Sequence, residues 1–431
     1  MLDRNDGAAC SPVRVLTLAS TFPRWQGDTE PPFVFNLSRD LARHFGFDVT
    51  VAAPHAPGAS CRENLDGLRV RRFRYLWPQR LQRLAYGGML PNLKRNPWLW
   101  LEVPFFLLAE LAAGWRLIRS ERIDVIHAHW LIPQGVVGAA LSRFTGKPLV
   151  ITAHGADVYG VGGRLQTALK RWALRSSTHI TAVSTDLRDA IERLRQGDAD
   201  PVPVAVISMG VDTALFHPSR RDPCLKERIA GDGPLLLFVG RLAEKKGVRY
   251  LIEAMPAILE RFPEAKLLIV GGGPLEAELR EQVRTSQLGD RIIFAGARCP
   301  EELPPYYASA DLFVGPSVVS DGDREGVPVS FMEAMASGCP ILASGVGGIR
   351  DLIQDGKTGV LVPERDPGSI AEQACGLLAH PALRRGHAIR ARRSVRRRYS
   401  SGAVAGRYAE VLLTQVGAKN VTATVDGESR S

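Results

Sequence analysis

Twice along this chain, short apolar runs rich in Val, Ile and Leu alternate with amphipathic helical patterns, and that alternation restricts the fold more than any other feature. In the first half the runs cover residues 13–19, 48–53, 69–75, 124–129, 149–153, 179–184 and 204–208, with helical patterns at 33–45, 98–119, 135–144 and 164–175. The pattern restarts with runs at 235–239, 266–270, 291–295, 311–315 and 359–362, separated by helical patterns at 248–261, 275–287 and 301–309. Strands this apolar have no face suited to water, so helices must cover both sides of a parallel sheet. At 431 residues the chain exceeds one ordinary domain, and a scale of about 150 residues per domain suggests two or three. The expected fold class is α/β: two Rossmann-like, doubly wound domains facing across a cleft, with ligands at the C-terminal ends of the strands. We expect a first domain over 1–215 and a second over 216–398, with the proline-containing, charged stretch 216–234 as the crossing. A last helix spans about 401–414, within a segment 399–415, and the small, polar tail 416–431 is expected to be disordered.

Composition narrows the class further. The six cysteines are scattered without C-x-x-C or finger spacing, which argues against a structural metal or a disulfide framework and suits a reducing cytoplasm. No charged-then-apolar leader pattern stands at the N-terminus, so export is not expected. The apolar segment 98–115 is interrupted by Glu102, Pro104, Glu110 and Gly114, which predicts a buried or interfacial helix rather than a membrane span. The net charge of +10 is concentrated. Eight basic residues and no acid lie between Arg69 and Arg95, and eight arginines and no acid between Arg384 and Arg398, so the remainder is net acidic. The first run is interleaved with Phe73, Tyr75, Leu76, Trp77, Leu81 and Leu84, a composition that can lie in an anionic membrane interface. A solvated positive face is the alternative for both runs. Nucleic acid is not an expected partner.

The chemistry concentrates in residues 321–344, where a polar loop turns into a helix and then into a short apolar strand. Pro328 suits the first helical position, and Gly326 lets the backbone approach a ligand. The free amides of Val329 and Ser330, with the helix dipole behind them, predict a phosphate site, and Glu325 stands at its lip. Glu333, in an otherwise apolar helix, needs a polar partner and leans back toward the same mouth. A carboxylate there can accept two hydrogen bonds from a vicinal diol such as a ribose. Arg241 and Lys246 follow a strand tip, as does the turn Gly271-Gly272-Gly273-Pro274. Ser317 closes another strand, His154 ends the strand pattern at 149–153 at the cleft edge, and Gly27 lies in the first loop. His127 and His129 share a strand face, but with no third ligand evident they read as packing or acceptor-side residues.

With Arg324-Glu325-Gly326-Val327-Pro328 and Glu333-Ala334-Met335-Ala336-Ser337-Gly338, the chain resembles the retaining, nucleotide-sugar-dependent glycosyltransferases of family 4, which have the GT-B architecture. The likeness covers roughly residues 12 to 415. It implies a catalytic set of Glu325, His154, Arg241 and Lys246. The implied donor site comprises Gly27, Arg241, Lys246, Gly272, Ser317, Glu325, Gly326, Val327 and Glu333, with Arg241 and Lys246 neutralising the diphosphate, Glu325 touching the sugar and Glu333 the ribose. Where the family has a paired glycine in the first loop, this chain has Gln26-Gly27-Asp28. The resemblance also implies a terminal helix that packs back on the first domain. The implied reaction moves a sugar from a UDP- or GDP-sugar to a saccharide or lipid-linked acceptor, with retention and without a metal or other cofactor. A peripheral position on the cytoplasmic face of a membrane is expected. Two alternatives are a catalytically silent nucleotide-sugar-binding subunit and a glycosidase using Glu325 and Glu333; the second leaves Arg241 and Lys246 without a role.

Overall fold

A computed structural model describes residues 12–417 except 29, 161, 200 and 321. Its first sheet has eight strands: β1 (Arg14–Leu18), β2 (Asp48–Pro54), β3 (Arg62–Leu65), β4 (Leu68–Phe73), β5 (Val125–His129), β6 (Leu149–Ala153), β7 (His179–Ala182) and β8 (Val204–Val206). They lie in the order β3-β4-β2-β1-β5-β6-β7-β8. All neighbours are parallel except β3 and β4. That antiparallel edge departs from the all-parallel sheet expected. Its cause is the turn Asp66-Gly67, where φ values of 54° and 90° fold the chain back in two residues.

The second sheet comprises β9 (Leu235–Val239), β10 (Lys266–Val270), β11 (Ile292–Gly296), β12 (Leu312–Gly315), β13 (Ile341–Ser344) and β14 (Val360–Val362). All its pairs are parallel, in the order β11-β10-β9-β12-β13-β14. The chain therefore reverses direction across the sheet between β9 and β12, the point at which open α/β sheets open a crevice. Alternation along β9 shows the double winding directly. Leu235, Leu237 and Val239 enter one core, whereas Leu236 and Phe238 enter the other. Each fully buried Leu contributes about 1.5–3 kcal/mol.

The stretch 216–234 is more than a crossing. Asp222 caps a helix, Pro223–Ala230, by accepting from the Leu225 amide at 3.1 Å, and Pro223 occupies its first turn. The helix Ser401–Val416 sends Val404, Ala405, Tyr408, Ala409 and Leu412 into the core of the first sheet, and the Tyr408 hydroxyl donates to the Ile207 carbonyl at 3.0 Å. Of the tail expected to be disordered, 418–431 lie outside the described residues. Among the described residues no helix is long and apolar enough to cross a membrane. The apolar helix Val103–Ser120 instead buries Glu110 against Gln134, and burial raises that carboxyl to about 8.

Candidate functional site

The reversal between β9 and β12 puts three backbone turns beside one another. β9 ends at Gly240-Arg241, β10 at Gly271-Gly272-Gly273, and the helix Val329–Ala336 begins just after β12 and its loop. The turns close tightly because Gly271, at φ 138°, has no side chain to strike the Gly240 carbonyl. Together they wall one side of a cavity of about 1190 Å³, with Arg298, Val329 and Glu333. Gly27, Glu30, Phe33 and Trp130 of the first domain face them. Of the residues expected at a donor site, Gly27, Arg241, Gly272 and Glu333 thus line one cavity, Gly27 from the first-domain side and the other three from the second.

Arg241 reaches across the cleft. Its Nη1 donates to the Gly87 carbonyl at 2.7 Å, and the Gly87 amide donates to Glu30 Oε1 at 2.9 Å. Burial raises the Glu30 carboxyl, against the lowering effects of the Gly87 amide, Arg24 and Arg241. A second contact joins the lobes where Cys299 Sγ lies 3.2 Å from the Gly27 carbonyl.

Glu333 has the polar partner its setting demands: its Oε2 accepts from the Tyr307 hydroxyl at 2.8 Å. Burial raises its carboxyl to about 7, the Tyr307 hydrogen bond opposing. Pro328, at φ −67° and ψ 126°, is the cap and not the first helical residue. Val329 and Ser330 then supply the first two amides, which have no partner within a helix.

Lys246 and Glu325 differ from expectation. Glu325 is buried, not at a lip, and Lys246 Nζ lies 2.8 Å from its Oε1. Lys246 is therefore not a free cation awaiting a diphosphate. Burial opposes ionisation of Glu325, but Lys246 and Lys245 outweigh it and hold the carboxyl below its usual range. Lys245 also pairs with Asp323 at 3.0 Å, so two lysines clamp the loop before the helix to the turn after β9. Lys246, Glu325, Gly326, Val327, Ser317 and His154 are absent from the cavity wall. Ser317 is only 1% exposed, and its neighbour Val318 donates its amide to the Lys245 carbonyl at 2.8 Å. Gly326 does press close to something, but to the first domain: a side chain there would meet the His154 carbonyl at 2.9 Å.

His154 follows β6. Its Nε2 lies 3.1 Å from His129 Nδ1, the two rings stack, and His127 Nε2 lies 2.8 Å from Thr152 Oγ1. Burial lowers His127 and His154 to about 3, so both rings are neutral near pH 7. Two groups beside them carry no periodic or motif signal. Trp130 has φ 77°, an outlier for a bulky residue costing about 1–3 kcal/mol. Asp157 fixes that turn by accepting from the amides of Leu131 at 2.6 Å, Gly155 at 2.7 Å and His154 at 3.1 Å.

The model for Glycosyltransferase Family 4 matches residues 32–215, and that for Glycosyl transferases group 1 matches 233–380. The chain is also similar to the GDP-mannose-dependent alpha-mannosyltransferase of Mycobacterium tuberculosis, 33% identical across 89% of this chain and 92% of the relative. The chain belongs to glycosyltransferase family 4. It is a transferase enzyme with the GT-B fold. A GDP-mannose-dependent alpha-(1-6)-phosphatidylinositol monomannoside mannosyltransferase of Mycolicibacterium smegmatis is 30% identical across 62% of this chain and 70% of its own. Among solved structures, Anabaena HepE in complex with UDP-glucose has a TM-score of 0.71 at 20% identity, covering 93% of this chain and 99% of that one. This family 4 glycosyltransferase thus meets its relatives over both lobes and the cleft between them.

Proposed function

We propose that the enzyme transfers a sugar, with retention of anomeric configuration, from a nucleoside diphosphate donor to a hydroxyl of a lipid-linked or saccharide acceptor. The observation that carries the donor assignment is the convergence of Arg241, the Gly271–Gly273 turn, Val329 and Glu333 on one cavity at the reversal of the second sheet. A diphosphate there meets the Arg241 guanidinium and the dipole of the Val329–Ala336 helix, while Glu333 accepts from ribose hydroxyls. Arg241 exchanges the Gly87 carbonyl for phosphate oxygens when the donor binds. The Lys246–Glu325 pair holds the loop and contributes a fixed cation beside Gly240. The diphosphate charge is met by protein groups, without a metal. Departure of the diphosphate leaves its own oxygen as base for the acceptor on the same face of the sugar. His154 meets the loop before the helix through its backbone carbonyl, which lies against Gly326, while its neutral ring packs on His129.

The first-domain half of the cavity supports a lipid-linked acceptor. Phe33, Trp100, Val103, Leu107, Leu165 and Leu169 line it, and Trp98, Leu101, Phe105 and Leu108 stand exposed beside it. Arg80, Arg83 and Arg95 are close in sequence to that apolar edge, which favours peripheral contact with an anionic cytoplasmic membrane face. GDP-mannose is the first donor to test, because it is the donor in the names of both mannosyltransferases above. Incubation with GDP-mannose or UDP-glucose and a lipid extract should release GDP or UDP in step with a glycosylated lipid. Tight donor binding with no nucleotide release would instead fit a silent binding subunit.

A further inference from the structure

The arginine-rich helix Pro381–Arg398 has a surface that the transfer reaction does not use. A groove of about 800 Å³ runs along it, closed by Pro218 and Arg221, by the turn Ala308–Asp311 and by Gly338 and Pro340. Arg385, Ile389, Arg392, Arg393, Arg396 and Arg397 recur at three- and four-residue steps, and all line this groove. Two of the lining arginines are committed to its floor. Arg384 lies 3.6 Å from Asp311, which also pairs with Lys226 at 2.8 Å, and Arg392 Nε donates to the Ala336 carbonyl at 3.1 Å.

The others are not. Among the described residues, Arg221, Arg385, Arg393, Arg396 and Arg397 have no carboxylate within ion-pair distance. Like charges four residues apart destabilise a helix. The dipole compensates Arg396 and Arg397 near the C-terminus but opposes Arg385 near the N-terminus. The field is felt by its neighbours: burial and then Arg396 lower Arg392, and burial followed by Arg392 and Arg396 lowers His217, next to Pro218. Five unpaired guanidinium forks around a concave space match an occupant with several phosphate oxygens, because each fork can donate to two of them.

We infer that this groove is a second ligand site, distinct from the donor cavity, for a soluble small molecule carrying two or more phosphate groups. Its concavity selects a soluble ligand: walls from four chain segments keep a flat bilayer from reaching the floor. The site is also one short helix from the donor cavity. Ala336, whose carbonyl holds Arg392, ends the helix that begins with Val329 and carries Glu333, a length of about 12 Å for eight residues.

The test uses sodium tripolyphosphate titrated into the full chain and into two variants. Because the donor cavity can also hold phosphate, R241A reports that site, whereas R393E/R397E reports the groove. The expected result is binding that survives in R241A and weakens at least tenfold in R393E/R397E, with an unchanged melting temperature. If the double glutamate variant does not fold, R393Q/R397Q carries the same expectation. Equal affinity in wild type and the groove variants, or loss only in R241A, would overturn the inference. So would groove variants that bind tripolyphosphate normally but lose binding to phosphatidylglycerol vesicles or to a single-stranded oligonucleotide, since the partner would then be a macromolecular polyanion.

Discussion

The two walls of the cleft are built on different chemistry. The second-domain wall carries glycine turns, Arg241, Arg298, a helix start and the carboxylates of Glu301 and Glu333, all on segments that follow neighbouring parallel strands. The first-domain wall is largely aromatic and aliphatic, drawn from Phe33, Trp100, Leu107, Trp130 and Leu165, which lie far apart in sequence. A wall of the first kind recognises charge and hydroxyl groups, which any nucleotide donor supplies. A wall of the second kind recognises apolar area, which the lipid-linked acceptor proposed above would supply. In the proposed reaction the same fold, used twice, would separate the two substrates by polarity.

The sharpest way to break this contrast is at the buried pair that supports the polar wall. Lys246→Ala leaves Glu325 buried without its cation, which should cost about 3–5 kcal/mol of stability, read as a fall in the midpoint of urea unfolding. A midpoint unchanged from wild type would remove the pair from the account. Next comes Glu333, whose raised carboxyl gives a pH signature. A group raised from 4.5 to about 7 on folding stabilises the protein fully below pH 4.5 and loses that contribution as pH rises through 7. Wild type should therefore lose stability relative to E333Q between pH 4.5 and 7. Donor affinity of wild type should move oppositely, rising through pH 7 as the carboxylate that accepts ribose hydroxyls forms. Parallel pH curves for the two proteins would count against it. The smallest effect belongs to the apolar wall. Trp100→Ala should raise the KM for a lipid-linked acceptor about tenfold, given roughly 1.4 kcal/mol of lost apolar contact, and leave donor affinity untouched. An equal change in both would mean that the walls are not separate in function.

How far the sequence foretold this depends on the distance over which each feature is encoded. β9, the sequence Leu-Leu-Leu-Phe-Val followed by Gly240-Arg241, is local, and both its burial and the place of Arg241 at a strand tip were legible. The need of Glu333 for a polar partner was legible too, although Tyr307 as that partner was not. In the sequence the Lys246–Glu325 pair looks like two separate ligand contacts, because nothing local says that residues 79 positions apart neutralise each other. The Arg241–Gly87 contact bridges 154 positions and left no trace in either segment. β3 is hidden for a different reason: Arg-Glu-Asn-Leu has no apolar alternation, and only the Asp66-Gly67 turn announces the hairpin. The Pro223–Ala230 helix had its Asp-Pro start signal in plain view within a stretch whose charge suggested a linker.

The account turns on Arg241 as the cation that meets the donor diphosphate, and calorimetric titration of GDP and of UDP into wild type and R241A tests that directly. With one charged hydrogen-bonding contact worth about 1.5–3 kcal/mol, the favoured nucleotide should bind R241A about 10- to 100-fold more weakly than wild type while the melting temperature of the free proteins stays the same. Equal nucleotide affinity in the two proteins would contradict the assignment of the second-domain wall as the donor site.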